Sequence, residues 1–389
     1  MSEDRKHSGR WAGWWLIGML TVAAFADFLA NDRPLVASVG GEVRFPVLHE
    51  YGRALGLHEG YSPAVRNWYR VDTDWVLWPP VPYAAGRPDV RNANYRSPFA
   101  EQETGNRARH YLGTDKLGRD VLAGLIRGTR VAVFVGCGAV LLSFLIGVPL
   151  GGVAGFFGNR QLRVPRYRLW GAVVGGTAGL LYGSYCILPY VAAGVGGAAV
   201  LLTLVTAVGA LLLTGLLYFI RPLRRCSAVP ADALVLQGIE LFVNVPGLVL
   251  LIALVAIINR PSLSVVVLVI GVLRWPVVAR YLRAELLRIR SLPYIDAARV
   301  SGIPPWRVLF RHALPNALGP LFVVASFSLG GAILLEAFLS FLGIGIPADQ
   351  VTWGSLLRQS RQQPAAWWLA VFPGLMLTLT VMATNRRLH

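Results

Sequence analysis

The sequence predicts an all-α polytopic membrane protein with about eight transmembrane helices. Its 389 residues are 55% hydrophobic and only 15% charged, whereas soluble domains carry about 25% charged residues. Several apolar runs reach the length of about 20 residues that crosses a hydrocarbon core of ~30 Å. The predicted spans cover residues 11–30, 130–158, 169–188, 190–220, 232–258, 262–282, 317–343 and 366–384.

The positive charges orient these spans. The formal net charge is +17, but the arginines lie in short clusters between apolar runs, which excludes a nucleic-acid-binding surface and is typical of a polytopic membrane protein. The clusters fill the loops at 160–168, 221–225 and 283–311, and the alternate loops contain few cations. The positive-inside rule therefore predicts a multi-pass membrane protein with both termini in the cytoplasm.

The first span has two interpretations. It follows Arg5, Lys6 and Arg10, and Ala24-Phe25-Ala26 offers a site for signal peptidase. A cleaved signal peptide would have a shorter apolar region than 11–30, so we expect the span to be retained.

The chain divides into three predicted regions. Residues 1–30 form the cytoplasmic N-terminus and first span, 31–127 an extracytoplasmic extension, and 128–389 a membrane domain with an inserted helical hairpin at about 160–228. The extension is rich in Pro, Trp and Tyr and lacks a long periodic apolar run, so we expect an irregular structure. Its aromatic residues either anchor it at the membrane interface or line a solute path.

Catalytic and nucleotide-binding motifs are missing. Neither lysine, Lys6 or Lys116, is followed by the Ser or Thr of a phosphate-binding loop. The six histidines form no His-Glu-x-x-His motif, and no Gly-x-Ser-x-Gly elbow occurs. Three cysteines, without metal-binding spacing, predict neither a disulfide framework nor a metal site. We therefore expect a chain that is not an enzyme and binds no cofactor.

The predicted cytoplasmic loop at 283–320 carries the most specific pattern. Pro293 opens a short helix that Gly302 and Pro304-Pro305 end, and Pro305 lies in the first turn of a second helix. The second helix is predicted to lie along the membrane surface and hold the first toward the cytosol. Its apolar face would consist of Trp306, Leu309, Phe310, Ala313 and Leu314, opposite Arg307 and Arg311.

At these residues the chain resembles a known family. Asp296, Ala297, Ala298, Gly302, Leu314 and Pro315 keep the E-A-A-x₃-G-x₉-I-x-L-P spacing of binding-protein-dependent ABC import permeases. Residues 311–316 resemble the oligopeptide/dipeptide subgroup, as do the blocks at 112–120, 336–343, 353–354 and 366–368. Asp296 replaces the family's glutamate, and the hairpin at 160–228 stands where the family has a short loop.

The resemblance implies a type I ABC importer permease fold and a set of partners. The short helix around Asp296–Gly302 would be the coupling helix that fits a groove on an ATP-hydrolysing subunit. The implied partners are a second permease, two ATP-hydrolysing subunits or domains that hold ATP and Mg, an extracytoplasmic substrate-binding protein and the lipid bilayer. The implied function is the import of peptides, and the implied location is a bacterial cytoplasmic (inner) membrane.

Two other classes of protein remain as alternatives. An ion-coupled secondary transporter would show internal repeats and carboxylates at the middle of the membrane. A membrane-embedded enzyme would need a polar catalytic pair within the bilayer. The sequence shows no repeat between its halves and only two acidic residues within the predicted spans, Glu240 and Glu336.

Three charged residues and two glycine stripes within the spans are further candidates. Glu240, Arg274 and Glu336 are candidates for the translocation path or for structural pairing, because a buried charge in a membrane is costly. Arg274 is alternatively a residue that extends to the cytoplasmic interface. Glycines recur every four residues at 147, 151 and 155 and at 171, 175 and 179, where they either pack against another helix or face lipid.

Overall fold

The computed structural model describes residues 3–54, 68–104, 108–165, 226–258, 262–345 and 350–386, with a few isolated positions between these ranges. Helices dominate the described residues, which confirms the predicted fold class. The helices are α1 Glu3–Ala24, α2 Ala26–Leu29, α3 Pro46–Ala54, α4 Val121–Phe157, α5 Ala231–Asn244, α6 Gly247–Ile258, α7 Leu263–Ile289, α8 Pro293–Val300, α9 Pro305–Val308, α10 Leu314–Leu342, α11 Trp353–Gln362 and α12 Trp368–Arg386. The strands are β1 Val36–Val39, β2 Glu42–Arg44, β3 Trp75–Leu77, β4 Arg163–Pro165 and β5 Cys226–Ala228, the last two paired antiparallel.

Four described helical segments are long and apolar enough to cross a membrane: α4, α7, the continuous stretch Pro305–Leu342 and α12. A fifth segment consists of α5 and α6, which meet at an angle of 84°. The span predicted at 232–258 is therefore broken into two helices in the structure, because Pro246 lacks the N–H that would continue α5. In α1 the apolar stretch is Trp11–Ala24, shorter than the span predicted at 11–30, so Asp27 of α2 lies beyond it. Most of the predicted hairpin at 169–220 lies outside the described residues.

Helix α4 begins at Val121, nine residues before the predicted start of its span. Asp120 provides the N-cap, since its Oδ1 accepts a hydrogen bond of 2.7 Å from the N–H of Ala123. Two arginines in the first turns, Arg127 and Arg130, lower the local hydropathy, and for this reason the apolar pattern alone places the start too late.

The extension is more ordered than its composition predicts. Strands β2, β1 and β3 form an antiparallel sheet in that order, in which Ala37 pairs with both Arg44 and Val76. Gly40 and Gly41, both with positive φ, form the two-residue turn between β1 and β2. This Gly-Gly pair is a hairpin signal that the apolar pattern of such short strands does not reveal.

The chain forms two compact units. The first comprises Met1–Ala139, Pro261–Val267 and Ser326–His389, and the second Val140–Arg260 and Leu268–Ala325. Each has its own apolar core. Trp353, Trp368 and Ile333 are central to the first core, and Leu282, Leu286 and Ile295 to the second.

The glycine stripe on α4 packs against α7 within the second unit. A Cβ atom added to Gly151 would lie 2.5 Å from the carbonyl oxygen of Ala279, and the corresponding distances to carbonyl oxygens of α7 are 2.9 Å for Gly147 and 2.7 Å for Gly155. The stripe therefore allows two helix backbones to touch, as small residues do in membranes. Of the two alternatives for this stripe, helix packing is the one observed.

Candidate coupling loop and its surroundings

Helix α8 is anchored by one apolar residue and exposes most of its remaining surface. The candidate coupling loop, residues 293–315, begins with Pro293 at the first position of α8. Ile295 is fully buried, whereas Asp296 and Ala297 are exposed and Val300 is 90% exposed. Arg299 donates to Asp296 at 3.2 Å, an ion pair within one helical turn. The outer face of α8 therefore combines the apolar side chains of Ala297 and Val300 with the Asp296–Arg299 ion pair.

Gly302 ends α8 as the sequence predicts. Its φ of +74° is in the left-handed region. The N–H of Ile303 donates to the carbonyl of Ala298 at 3.2 Å, and the N–H of Gly302 donates to that of Arg299 at 3.0 Å. These two bonds form a Schellman motif, in which glycine is favoured because it has no Cβ. No atom outside the local chain lies within 4 Å of an added Cβ. Glycine is therefore required here for its positive φ, and not because a larger side chain would collide with a neighbour.

The second helix of the loop differs from the prediction. Helix α9 continues through a π turn at Leu309–Ala313 directly into α10. Each π turn holds one more residue than an α turn, which changes the residues that share a face. Val308, Leu309 and Ala313 are buried, whereas Trp306 and Phe310 are 45% and 61% exposed. The two aromatic side chains are therefore not enclosed in the apolar core that buries Val308, Leu309 and Ala313.

The structure brings the predicted loop residues together around one core. Ala298 of α8 and Leu314 of α10 both pack against the apolar cluster that contains Ile295. Pro315 is exposed in the first turn of α10. The same cluster includes Leu286 of α7 and Leu321 of α10, so a displacement of α8 would be passed to two membrane helices by direct contact.

The membrane charges have different environments. Glu336 of α10 is 1% exposed, and the Ser340 hydroxyl donates to its Oε1 at 2.7 Å. Glu240 of α5 is exposed and forms no ion pair with Arg274 among the described residues. Arg274 of α7 is partly buried, and its Nε has no hydrogen-bond partner. Pairing between Glu240 and Arg274, one of the alternatives considered from the sequence, is not observed.

Sequence reasoning missed a buried polar network before α4. His110 is fully buried; its Nδ1 lies 2.8 Å from Oδ2 of Asp120 and its Nε2 lies 3.4 Å from Oδ2 of Asp89. The ring stacks on Tyr83 with a centroid separation of 4.1 Å. A lone histidine in a polar segment gives no sequence signal, because its partners are separated from it by 10 and 21 residues.

The blocks at 112–120 and 353–368 contact each other in the first unit. The indole N–H of Trp368 donates to the carbonyl of Thr114 at 3.1 Å, and Gln359 donates to Asp115 at 3.2 Å. The indole of Trp353 donates to the carbonyl of Leu125 at 3.1 Å. These motifs therefore hold the pre-α4 loop, residues 108–120, against α11 and α12.

The chain is similar in sequence to permease proteins of transport systems. Residues 227–389 match the family described as "Binding-protein-dependent transport system inner membrane component". A putative peptide permease protein of Brucella suis is 30% identical over 280 residues, which cover 71% of this chain and 69% of that protein. A di/tripeptide transport system permease protein of Pseudomonas aeruginosa is 29% identical over 282 residues, covering 72% and 70% of the two chains.

A longer alignment joins this chain to a peptidoglycan transport system permease protein of Agrobacterium fabrum. The two sequences are 25% identical over 386 residues, and the alignment covers 93% of this chain and 82% of the relative. The extension is therefore included in a relationship that spans nearly the whole chain. With its membrane helices and its loop motif, the chain belongs to the family of inner-membrane components of binding-protein-dependent transport systems, the permease subunits of ABC importers.

Proposed function

We propose that this permease takes up peptides and couples their passage to ATP hydrolysis by partner subunits through α8. The observation that carries the coupling role is the exposed outer face of α8 on a helix that is fixed by Ile295 to the core of the second unit. The relatives named above for peptide transport support peptides as the substrate class.

Their positions support the coupling role proposed for six residues: Asp296, Ala297, Ala298, Gly302, Leu314 and Pro315. Asp296, Ala297 and Gly302 lie on the exposed side of α8 and its terminal turn. Ala298 and Leu314 face the core, and Pro315 lies in the first turn of α10. A partner that moved the exposed side would therefore push against α7 and α10 through the buried side, as a rigid body transmits motion.

The complete transporter would contain two permeases, two ATP-hydrolysing subunits or domains and an extracytoplasmic binding protein. ATP and Mg would be held by the ATP-hydrolysing partners, because neither lysine of this chain lies in a phosphate-binding loop. Arginines in the coupling loop and at the end of α12 support a cytoplasmic location for α8 and for both termini. The opposite end would then receive peptide from the binding protein.

Co-purification tests the coupling role. The whole transporter is purified in mild detergent with an Ala297→Trp substitution, which places a bulky side chain on the exposed face of α8. The ATP-hydrolysing subunits should be lost while the second permease is retained. Val90→Trp, at a position of the extension that is 82% exposed, is the matched control and should retain every subunit. Full retention of ATPase subunits by Ala297→Trp, with normal peptide-dependent ATP hydrolysis, would contradict the proposed role of α8.

A further inference from the structure

A polar cavity of about 500 Å³ lies in the first unit, where the extension meets α2 and the first turns of α4. Its volume is in the range of small-molecule sites. The wall carries Asp27, Tyr51, Arg127 and Arg130, and Gln350 also lines it. Alanines fill much of the remaining wall, which leaves room for small side chains.

Asp27 is the centre of the charged wall. It accepts hydrogen bonds from the Tyr51 hydroxyl and from Nη1 of Arg130 at 2.6 Å, and Nη1 of Arg127 lies 3.5 Å from its other oxygen. Burial alone raises the pKa of Asp27, but the hydrogen bonds from Tyr51 and Arg130 hold that pKa below its ordinary value. Asp27 is therefore ionised at neutral pH and carries one negative charge between two guanidinium groups.

The two arginines differ in how many hydrogen-bond acceptors their guanidinium groups contact. Arg130 donates to the Ala23 carbonyl at 2.8 Å as well as to Asp27, so its guanidinium is fixed. Arg127 has the single long contact to Asp27, and its side chain is 46% exposed. The guanidinium of Arg127 is thus the least compensated charge of this cluster.

The other charges of the cavity wall compensate one another. Arg33 pairs with Glu50 at 3.2 Å, and Asp32 pairs with Arg87 beside the cavity. With these pairs balanced, the cluster of Asp27, Arg127 and Arg130 leaves a surplus of one positive charge. A carboxylate is the complementary group, since a guanidinium binds it through two parallel N–H···O bonds.

We propose that this cavity binds a small peptide, with Arg127 holding its terminal carboxylate. The proposal rests on the proposed peptide transport. It adds a binding subsite in the permease itself, on the side of the chain that carries the extension.

Protection of an introduced cysteine tests the subsite. Ala84, which lines the cavity, is changed to cysteine in the full transporter, and the rate of its reaction with a small maleimide is measured after subtraction of the parent's own cysteines. Tri-alanine at millimolar concentration should slow the reaction about fivefold or more. Tri-alanine amide, which lacks the carboxylate, should leave the rate unchanged within about twofold.

Second-site variants identify the residue responsible. Arg127→Gln should abolish protection by tri-alanine, and Arg127→Lys should keep part of it. Arg361→Gln, which removes an arginine that does not line the cavity, should leave protection intact. Equal protection by tri-alanine and its amide, or full protection in Arg127→Gln, would overturn the proposal.

Uptake of labelled tri-alanine by the same Ala84→Cys transporter separates the subsite from the proposed function. Uptake without protection of the introduced cysteine would overturn the subsite and leave peptide transport standing. Protection without uptake would support the subsite and contradict peptide transport.

Discussion

The coupling loop at 293–315 and the pre-α4 loop at 108–120 are fixed by opposite means. Helix α8 rests on the buried side chain of Ile295, with few polar contacts and an exposed outer face. The pre-α4 loop is held by buried hydrogen bonds of His110, Asp115 and Asp120 and by backbone contacts of glycines. Apolar contacts are not directional, whereas buried hydrogen bonds fix a geometry. The comparison teaches that the pre-α4 loop has a geometry fixed by hydrogen bonds, whereas the coupling loop has an exposed face that suits the docking role proposed for it.

The largest expected loss of stability comes from a substitution in the pre-α4 loop. Gly118→Ala would place Cβ 1.9 Å from the carbonyl oxygen of Asp89, at a φ of +80°. Because the backbone must move to relieve this contact, we expect the free energy of unfolding to fall by about 3 kcal/mol or more. The loss should appear as a large drop in melting temperature in detergent. Gly319→Ala, with no atom near its added Cβ, is the control. An unchanged melting temperature for Gly118→Ala would remove the contrast between the two loops.

The next effect compares two aspartates. Asp120→Ala removes the N-cap of α4 and the partner of buried His110, which together should cost about 2–3 kcal/mol. Asp296→Ala removes only an exposed ion pair with Arg299 and should cost under about 0.5 kcal/mol. Thermal unfolding of both variants measures the difference. Equal losses would mean that the pre-α4 network contributes no special rigidity.

A smaller structural effect, with a functional consequence, is expected at Gly302. Gly302→Ala places a Cβ in the left-handed region, at a cost of about 1 kcal/mol, and should loosen the end of α8. Gly302→Asn should be better tolerated, because Asn adopts this conformation more readily. Peptide-stimulated ATP hydrolysis of the whole transporter should fall more in the Ala variant than in the Asn variant. The reverse order would show that side-chain size, and not conformation, matters there.

The smallest effect depends on pH. Since the folded protein lowers the pKa of Asp27, its ion pair adds stability that is complete above the ordinary pKa of about 4 and is lost as the pH falls through the lower folded value. Asp27→Asn should therefore melt below the parent by a constant margin near neutral pH. Melting curves recorded down to about pH 3 should show that margin narrowing. A margin that grows on acidification would have the wrong sign.

Local signals predicted much of the coupling loop but little of its surroundings. Pro293 and Gly302 act on the backbone within one turn, so the bounds of α8 were predictable. The π turn at Leu309–Ala313 was not, since the packing of Val308 and Ala313 decides which residues share a face. The contacts of His110 and the loose environment of Arg127 depend on residues far away in the chain. The turn at Gly40-Gly41 could be predicted from its two glycines, but the flanking strands are too short to show an apolar pattern.

The glycine stripe on α4 has a consequence for how the protein is made. Ala279, which covers Gly151, follows it by about 130 residues, and the inserted hairpin segment is synthesised between them. At about 5–20 residues per second, α4 waits roughly 6 to 26 s for its partner helix. During that time its narrow groove faces lipid or the insertion machinery. The order of synthesis therefore gives any other small-residue helix an early opportunity to occupy the groove before α7 arrives.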